Sequence, residues 1–346
     1  MRKLLILVIA VLFLTCLVWA AKVAVLSELQ RPASITVDGS QVFITEDINV
    51  YIYSAKDYSL QKKFGKEGEG PQEFKRHINP RGEYIRISVQ PKEILVNSIG
   101  KISYFTRKGD FIREMKVMMS TGGYIPVGNH MMAFGMAYKE QTRYITLNLY
   151  SPQCVKEKEF FRAKAPLQEG KFIDPVKMSV GKLVITIRVE DNKMFYRGDD
   201  QKIYAFDENG NQIYSITPEY EKVKFTGELK NRYIDFSKND YRYKYVYEQD
   251  KHRIKWPEYF PLIRDLRVEN KKIYVITFKS TDNKKECYIY DSADGKFVEK
   301  AFIPLVEQNV QELYPYTIKD GKVYQVVENL DEEKWELHVI DINPVS

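Results

Sequence analysis

The chain has little of what most metalloenzymes and disulfide scaffolds are built from. It holds only three cysteines and four histidines in 346 residues. Cys16 lies in the N-terminal apolar run, which leaves Cys154 and Cys287 far apart and without metal-site spacing. An oxidising compartment would allow them to pair but does not require it, and two buried thiols are expected. His77, His130, His252 and His338 fall in separate segments, with no HExxH pattern. There is no Gly-x-Ser-x-Gly elbow, which argues against a standard serine hydrolase. Gly65, Gly68 and Gly70 are not followed by Lys-Ser/Thr or by a helix, so they do not form a phosphate loop. No Ser/Gly linker or low-complexity tract divides the chain into separate folding units. The charge excess is small and interspersed: +6 overall, or +4 once Arg2 and Lys3 are removed with an acid-free leader. That is too little to mark a nucleic-acid binder.

The one long apolar run lies at the start. Met1, Arg2 and Lys3 are followed by an uncharged stretch from Leu4 to Ala21. Val18 and Ala20 supply small residues where a signal peptidase reads. Residues 1–20 are therefore expected to be a secretory signal peptide cleaved after Ala20. The alternative is an uncleaved anchor, since about 18 apolar residues can just cross a bilayer. Cys16 has Thr15 before it and Leu17-Val18-Trp19 after it, which fails a lipobox on both sides. The expected location is extracytoplasmic: periplasmic, secreted or outer-surface associated. Membrane contact would come only through an uncleaved signal or a lipid anchor.

The remainder is rich in Tyr, Phe, Val and Ile, which suit half-buried strands. Short strand candidates recur with Gly, Asn and Asp turns between them. The first unit runs Ile35–Val37, Gln41–Thr45, Val50–Ser54 and Leu60–Phe64. The second has Ile85–Val89, Glu93–Asn97, Ile102–Thr106 and Ile112–Val117. A looser third unit uses Gly123–Val127, His130–Met136, Tyr144–Tyr150 and Val155–Phe161. The fourth is read as Pro175–Ser179, Lys182–Arg188, Lys202–Phe206 and Gln212–Ile216. The fifth has Ile263–Glu269, Lys271–Phe278, Glu286–Asp291 and Phe297–Phe302. The last offers only Tyr314–Lys319, Lys322–Val327 and Trp335–Asp341.

A four-strand unit recurring about every 35–50 residues buries its faces by radial stacking. The reading is an all-β, six-bladed β-propeller over residues 22–346, with an insertion at 219–261 between blades four and five. The N-terminal segment Lys22–Leu26 supplies the strand missing from the sixth blade and removes the open edge. Phe64 to Phe74 forms the joint between blades one and two, with Phe74 packed between them. Gly65, Gly68, Gly70, Pro71 and Phe74 at this joint resemble an NHL-type repeat. Tyr204–Asp207 before Asn209-Gly210, and Ile289–Asp291 before Asp294-Gly295, extend that likeness. The chain thus resembles the NHL-repeat-like six-bladed propellers exported by bacteria.

Residues 219–261 break the repeat. Leu229, Tyr233, Phe236, Tyr243 and Tyr247 share one helical face, with Asp240 interrupting it. Alternation of Tyr241, Tyr243, Tyr245 and Tyr247 also fits a strand. One or two helices ending near Trp256-Pro257 are expected on a face of the propeller. Arg242, Tyr243, Tyr245, Trp256 and Tyr259 are the candidate ligand-binding residues, as aromatic and Arg side chains favour binding hot spots. The competing reading is that these tyrosines only pin the insertion down. No catalytic or metal-ligating residue is singled out and no cofactor is expected. Asp191-Asn192-Lys193 with Asp199-Asp200 lacks a full calcium loop.

The expected function is a non-catalytic binding or scaffold propeller for a protein, peptide or glycan, monomeric and without nucleic acid. The resemblance also admits a metal-dependent, lactonase-like hydrolase or lyase with its site in the central channel. Convergence of three or more Asp, Glu, Asn or His side chains on the axis would favour it.

Overall fold

Alternating apolar residues give each strand two faces to bury, and the chain buries them by stacking sheet on sheet around an axis. In a computed structural model, the residues described are 21–76, 85–118, 122–164, 176, 187–198, 200–241 and 243–342. They form six four-stranded antiparallel sheets. The inner strands are Ser34–Asp38, Arg86–Val89, Gly122–Val127, Ile187–Glu190, Asp265–Glu269 and Tyr316–Lys319. Three further strands step outward from each, so the architecture is the expected six-bladed propeller. An apolar cluster fills each of the six blade interfaces, and a seventh lies under the insertion.

Blade six takes its outermost strand from the other end of the chain. Ala21–Val25 pairs antiparallel with Lys334–Asp341, from Ala21 opposite Val339 to Val25 opposite Glu336. The closure expected for the N-terminal strand is therefore present. The cleavage site proposed after Ala20, the charge-free run and Cys16 lie outside the described residues.

The joint between blades one and two is built as its glycines require. Gly65 has φ +113°, and a Cβ there would stand 2.2 Å from the Ile48 carbonyl oxygen. Lys66–Glu67 runs parallel to Glu73–Phe74 in a small ribbon. Phe74 is fully buried between Phe43, Phe64, Ile94 and Phe105. The joint's carboxylates are paired rather than merely solvated. Glu69 meets Lys75 at 2.7 Å, Glu67 meets Arg76 at 2.6 Å, and Glu73 accepts from the Gly70 amide at 2.9 Å.

Blade four departs from the expectation. Its inner hairpin is Ile187–Glu190 with Lys193–Arg197, not Pro175–Ser179 with Lys182–Arg188. The turn is Asp191-Asn192, with φ of 48° and 58°. Asp and Asn tolerate the left-handed region better than other side chains, so the pair makes a two-residue hairpin. Two of the residues weighed for calcium have partners within the chain. Asn192 Oδ1 accepts from the Gly128 amide at 3.0 Å, and Asp200 accepts from Tyr204 at 2.6 Å. Asp199 lies outside the described residues.

Cys154 and Cys287 are free, in blades three and five; Cys287 is buried and Cys154 only partly so. Among the described residues no helix is long and apolar enough to cross a membrane.

Two substitutions at the joint test its role. Phe74→Ala should cost about 3–5 kcal/mol, and Gly65→Ala about 3 kcal/mol, as shifts in the urea unfolding midpoint. A change below about 1 kcal/mol for Phe74→Ala would show that this ring does not hold the two blades together.

Candidate functional site

Two features share one face of the ring, the face from which every inner strand starts. The first is the insertion. Thr226 caps its longer helix, α1 (Gly227–Asn239), by accepting from the Leu229 amide at 3.3 Å. Asp240, read as an interruption of an apolar face, ends that helix. A second short helix, α2, covers Lys244–Asp250, so the helical reading of this stretch holds over the strand alternative. A single turn at Lys251–Arg253 follows, shortly before Trp256-Pro257.

The insertion is fastened from within. Tyr233 is fully buried with Phe225, Phe260 and Val176, and Leu229, Trp256 and Phe278 pack against them. The Trp256 ring stacks on Phe225 at 5.7 Å and meets Tyr233 edge-on at 6.3 Å. Phe225 and Phe260 are tied to Glu258 and Val223 by backbone bonds of 2.8 and 2.9 Å. Phe236 and Tyr243 join the two helices at 5.5 Å. At the far end the Arg31 guanidinium, in the connection between blades six and one, donates to the Tyr241 hydroxyl at 2.6 Å. The insertion therefore reaches from the joint of blades four and five to that of blades six and one.

The candidate residues consequently divide. Trp256 lies in the packed core of the insertion, and Tyr243 is half-buried against Phe236. Tyr245 and Tyr259 face solvent at 71% and 39% exposure, joined by Tyr241 at 72%. Lys222 stands 5.8 Å over the Tyr259 ring. Arg242 lies outside the described residues.

The second feature is the central channel, which sequence reasoning did not single out. On each inner strand one set of residues packs between blades and the alternate set faces the axis. Ile35 and Val37, Ile87 and Val89, and Leu266 and Val268 take the packed positions. That turns Arg86, Arg188, Asp265 and Arg267 toward the channel in its insertion-side half. Arg267 pairs with Asp265 at 2.9 Å, and Arg188 stands 3.9 Å from the same carboxylate. The Tyr316 hydroxyl donates to Asp265 at 2.6 Å, and the Arg267 guanidinium lies 4.3 Å above the Tyr316 ring. Burial alone would raise the Asp265 carboxyl, but Arg267, Arg188 and Tyr316 hold it below the ordinary carboxylate range. Burial, with Arg267 and Arg86 nearby, brings Arg188 down to about 10. The signal that could have found this site is a charged residue on the axis side of successive first strands.

The opposite half is acidic. Glu190 and Glu269 follow Arg188 and Arg267 by two residues and face the same way. Lys319 pairs with Glu269 at 2.8 Å. Glu190 accepts from the Lys271 amide at 3.1 Å. Burial raises the Glu190 carboxyl to about 7, and the charges of Glu269 and Asp191 add to that rise.

A lactonase-like centre would gather acids, Asn and His around a metal in the channel. The described residues there are guanidiniums around Asp265 at the insertion end, and Glu190 and Glu269 with Lys319 at the other. Among the described residues no three His, Cys, Asp or Glu side chains are placed to hold a metal ion. His130 and His338 sit beside Glu157 and Glu336 at 2.9 and 3.0 Å, His252 is exposed, and His77 lies outside the described residues.

The Glu190 shift has a definite sign. Between its ordinary 4.5 and about 7 the folded chain holds a proton that the unfolded chain has released. Stability therefore falls as pH rises through that window. Glu190→Gln should flatten the fall, matching the parent at pH 4.5 and exceeding it by about 1 kcal/mol at pH 8, after discounting for solvent screening. Parallel curves of urea midpoint against pH for the two proteins would refute this assignment.

No described protein family matches the chain, and no curated protein does. Solved structures give only a loose likeness. BamB from Moraxella catarrhalis is 9% identical with a TM-score of 0.32, covering 88% of this chain and 71% of its own. Hydrazine synthase from Kuenenia stuttgartiensis is 11% identical at 0.43, covering 91% and 78%. Hsv2 from Kluyveromyces lactis is 10% identical at 0.38, covering 91% and 99%. Likeness at this level carries no inference about activity, and the fold rests on the strand pairing itself.

Proposed function

We propose that the chain is an exported, non-catalytic binding or scaffold propeller of NHL-repeat-like type, which offers its insertion-bearing face to a protein, peptide or glycan. The observation that carries this reading is the division of labour among the insertion's aromatic residues. Phe225, Tyr233, Trp256 and Phe260 hold it rigidly on the ring, while Tyr241, Tyr245 and Tyr259 stand outward. A surface of fixed, outward tyrosines loses little conformational freedom on docking, and such residues dominate binding energy at interfaces. Trp256 and Tyr243 act as support for that surface, and Arg242 lies next to it in the chain. Export follows from residues 1–20 read as a signal, and a monomer satisfies the closed ring.

Site-specific photo-crosslinking in the native envelope tests the surface. A crosslinker at Tyr245 should capture a discrete partner that one at Tyr138, equally exposed on blade three, does not. With the crosslinker kept at position 245, Tyr241→Ala combined with Tyr259→Ala should weaken that capture at least tenfold, on the scale of a hot spot. Identical adducts from both positions would sink the reading. Glycan-processing enzymes applied to the adduct separate a glycan from a protein ligand. Edman sequencing of the exported protein should start at Ala21; Met1 on a membrane-bound form would instead establish an anchor.

A further inference from the structure

We propose that residues 26–33 form a strap that couples closure of the ring to the insertion, so that the tip carrying Tyr241 is held in place only once the two chain ends have met. The strap leaves the closing strand Ala21–Val25 and enters Ser34–Asp38, the inner strand of blade one. Its first half is fastened to the last strand of the chain. The Leu26 amide donates to the Trp335 carbonyl at 2.8 Å, and the Trp335 indole donates to the Gln30 carbonyl at 2.9 Å. Its second half is fastened to blade one. Glu46, only 8% exposed, accepts from the Gln30 amide at 2.6 Å and from the Arg31 amide with one oxygen, and from the Tyr51 hydroxyl at 3.0 Å with the other. Pro32 is buried, and a residue before proline is confined to extended backbone.

Arg31 is therefore an exposed side chain on a fixed backbone, and it reaches across to the insertion. One terminal nitrogen donates to the Tyr241 hydroxyl at 2.6 Å, and the guanidinium carbon lies 5.8 Å from the centre of that ring. Tyr241 sits in the turn between α1 and α2. The Tyr243 and Lys244 amides close that turn on the Asp240 carbonyl at 3.0 Å each, and the Tyr247 amide continues it on the Tyr243 carbonyl at 2.8 Å. These bonds shape the turn, and Arg31 fixes where it stands over the ring. Gln30 has its indole partner only when Lys334–Asp341 lies beside Ala21–Val25. The coupling is reciprocal: whatever steadies the tip favours the closed seam by the same free energy with which closure favours the tip. The first and last strands of the chain must both be present before the tyrosines are set.

The value of this device for recognition rests on the function proposed above, but the coupling itself does not, and its test uses no partner. Hydrogen–deuterium exchange of the full chain reads it. Arg31→Ala, an exposed change, should leave the urea midpoint at the parent value and speed exchange of the amides at 243–247 about threefold, the scale of one hydrogen bond. Trp335→Phe keeps a ring beside Tyr314 and loses only the indole bond to Gln30. It should speed the same amides although it lies in another blade, and should add nothing to them in the Arg31→Ala background. Exchange in Thr142–Tyr150 of blade three should match the parent throughout, which separates release of the tip from global opening. Lys22→Gln, which removes the Lys22–Glu336 pair at 2.9 Å from the seam, completes the same cycle if Trp335→Phe does not fold. Unchanged exchange at 243–247 in either single variant, or effects of the two substitutions that multiply instead of overlapping, overturns the proposal.

Discussion

Everything in this molecule depends on the seam that closes the ring. Each blade can bury its two apolar faces only against neighbours, so an open array would leave two faces and two edges in water. The seam supplies the last neighbour. The strand pairing of Ala21–Val25 with Lys334–Asp341 is extended by the Leu26 amide bonding the Trp335 carbonyl at 2.8 Å. The Trp335 indole donates to the Gln30 carbonyl at 2.9 Å, and Lys22 meets Glu336 at 2.9 Å. Glu336 is costly to bury, yet Asn329, Lys22 and His338 bring it down to about 2, so the charge stays where the two chain ends meet. Behind these polar contacts Leu26, Ile35, Val42, Tyr51 and Trp335 form one apolar cluster.

The repeat was legible where the chain spells its turns in the same letters and obscure where it spells them differently. The loop between the third and fourth strands has the same hydrogen bonds in several blades. Asp207 bonds Asn211 and Gly210 bonds Asp207; Ser151 bonds Val155 and Cys154 bonds Ser151. In blade four a glycine takes the left-handed position, with its Cβ site 2.8 Å from Phe160 of the preceding blade. In blade three Cys154 takes it at φ 60°, and Ser151 replaces the aspartate whose oxygen caps the turn. The geometry is conserved within the chain while the residue types are not. That is why the third unit reads as loose although its four strands are regular. Tyr58 does the same in blade one, at φ 56°.

The insertion announced itself through its aromatic residues, but periodicity alone could not say which of them point inward. Trp256 reads as a binding residue by type, and in the fold it packs against the rings of Phe225 and Tyr233. The channel was hidden for a different reason. The sequence pattern puts Arg188 at the end of a second strand, whereas the Asp191-Asn192 turn sets it in an inner one. Even with that register correct, Arg86, Arg188 and Arg267 are single residues in three separate units. Only closure of the ring makes them neighbours, and no local pattern encodes closure.

The channel's two halves carry opposite charge for a reason already present in the strand. Residues two apart on an inner strand face the same way, so Arg188 and Glu190, and Arg267 and Glu269, each place a cation and an anion at different depths along one wall. A field set up in this way has a direction, and low-dielectric walls sharpen it. The arginine end is the side on which Tyr241 and Tyr245 stand exposed, so a partner docked on those tyrosines would sit over that end of the channel.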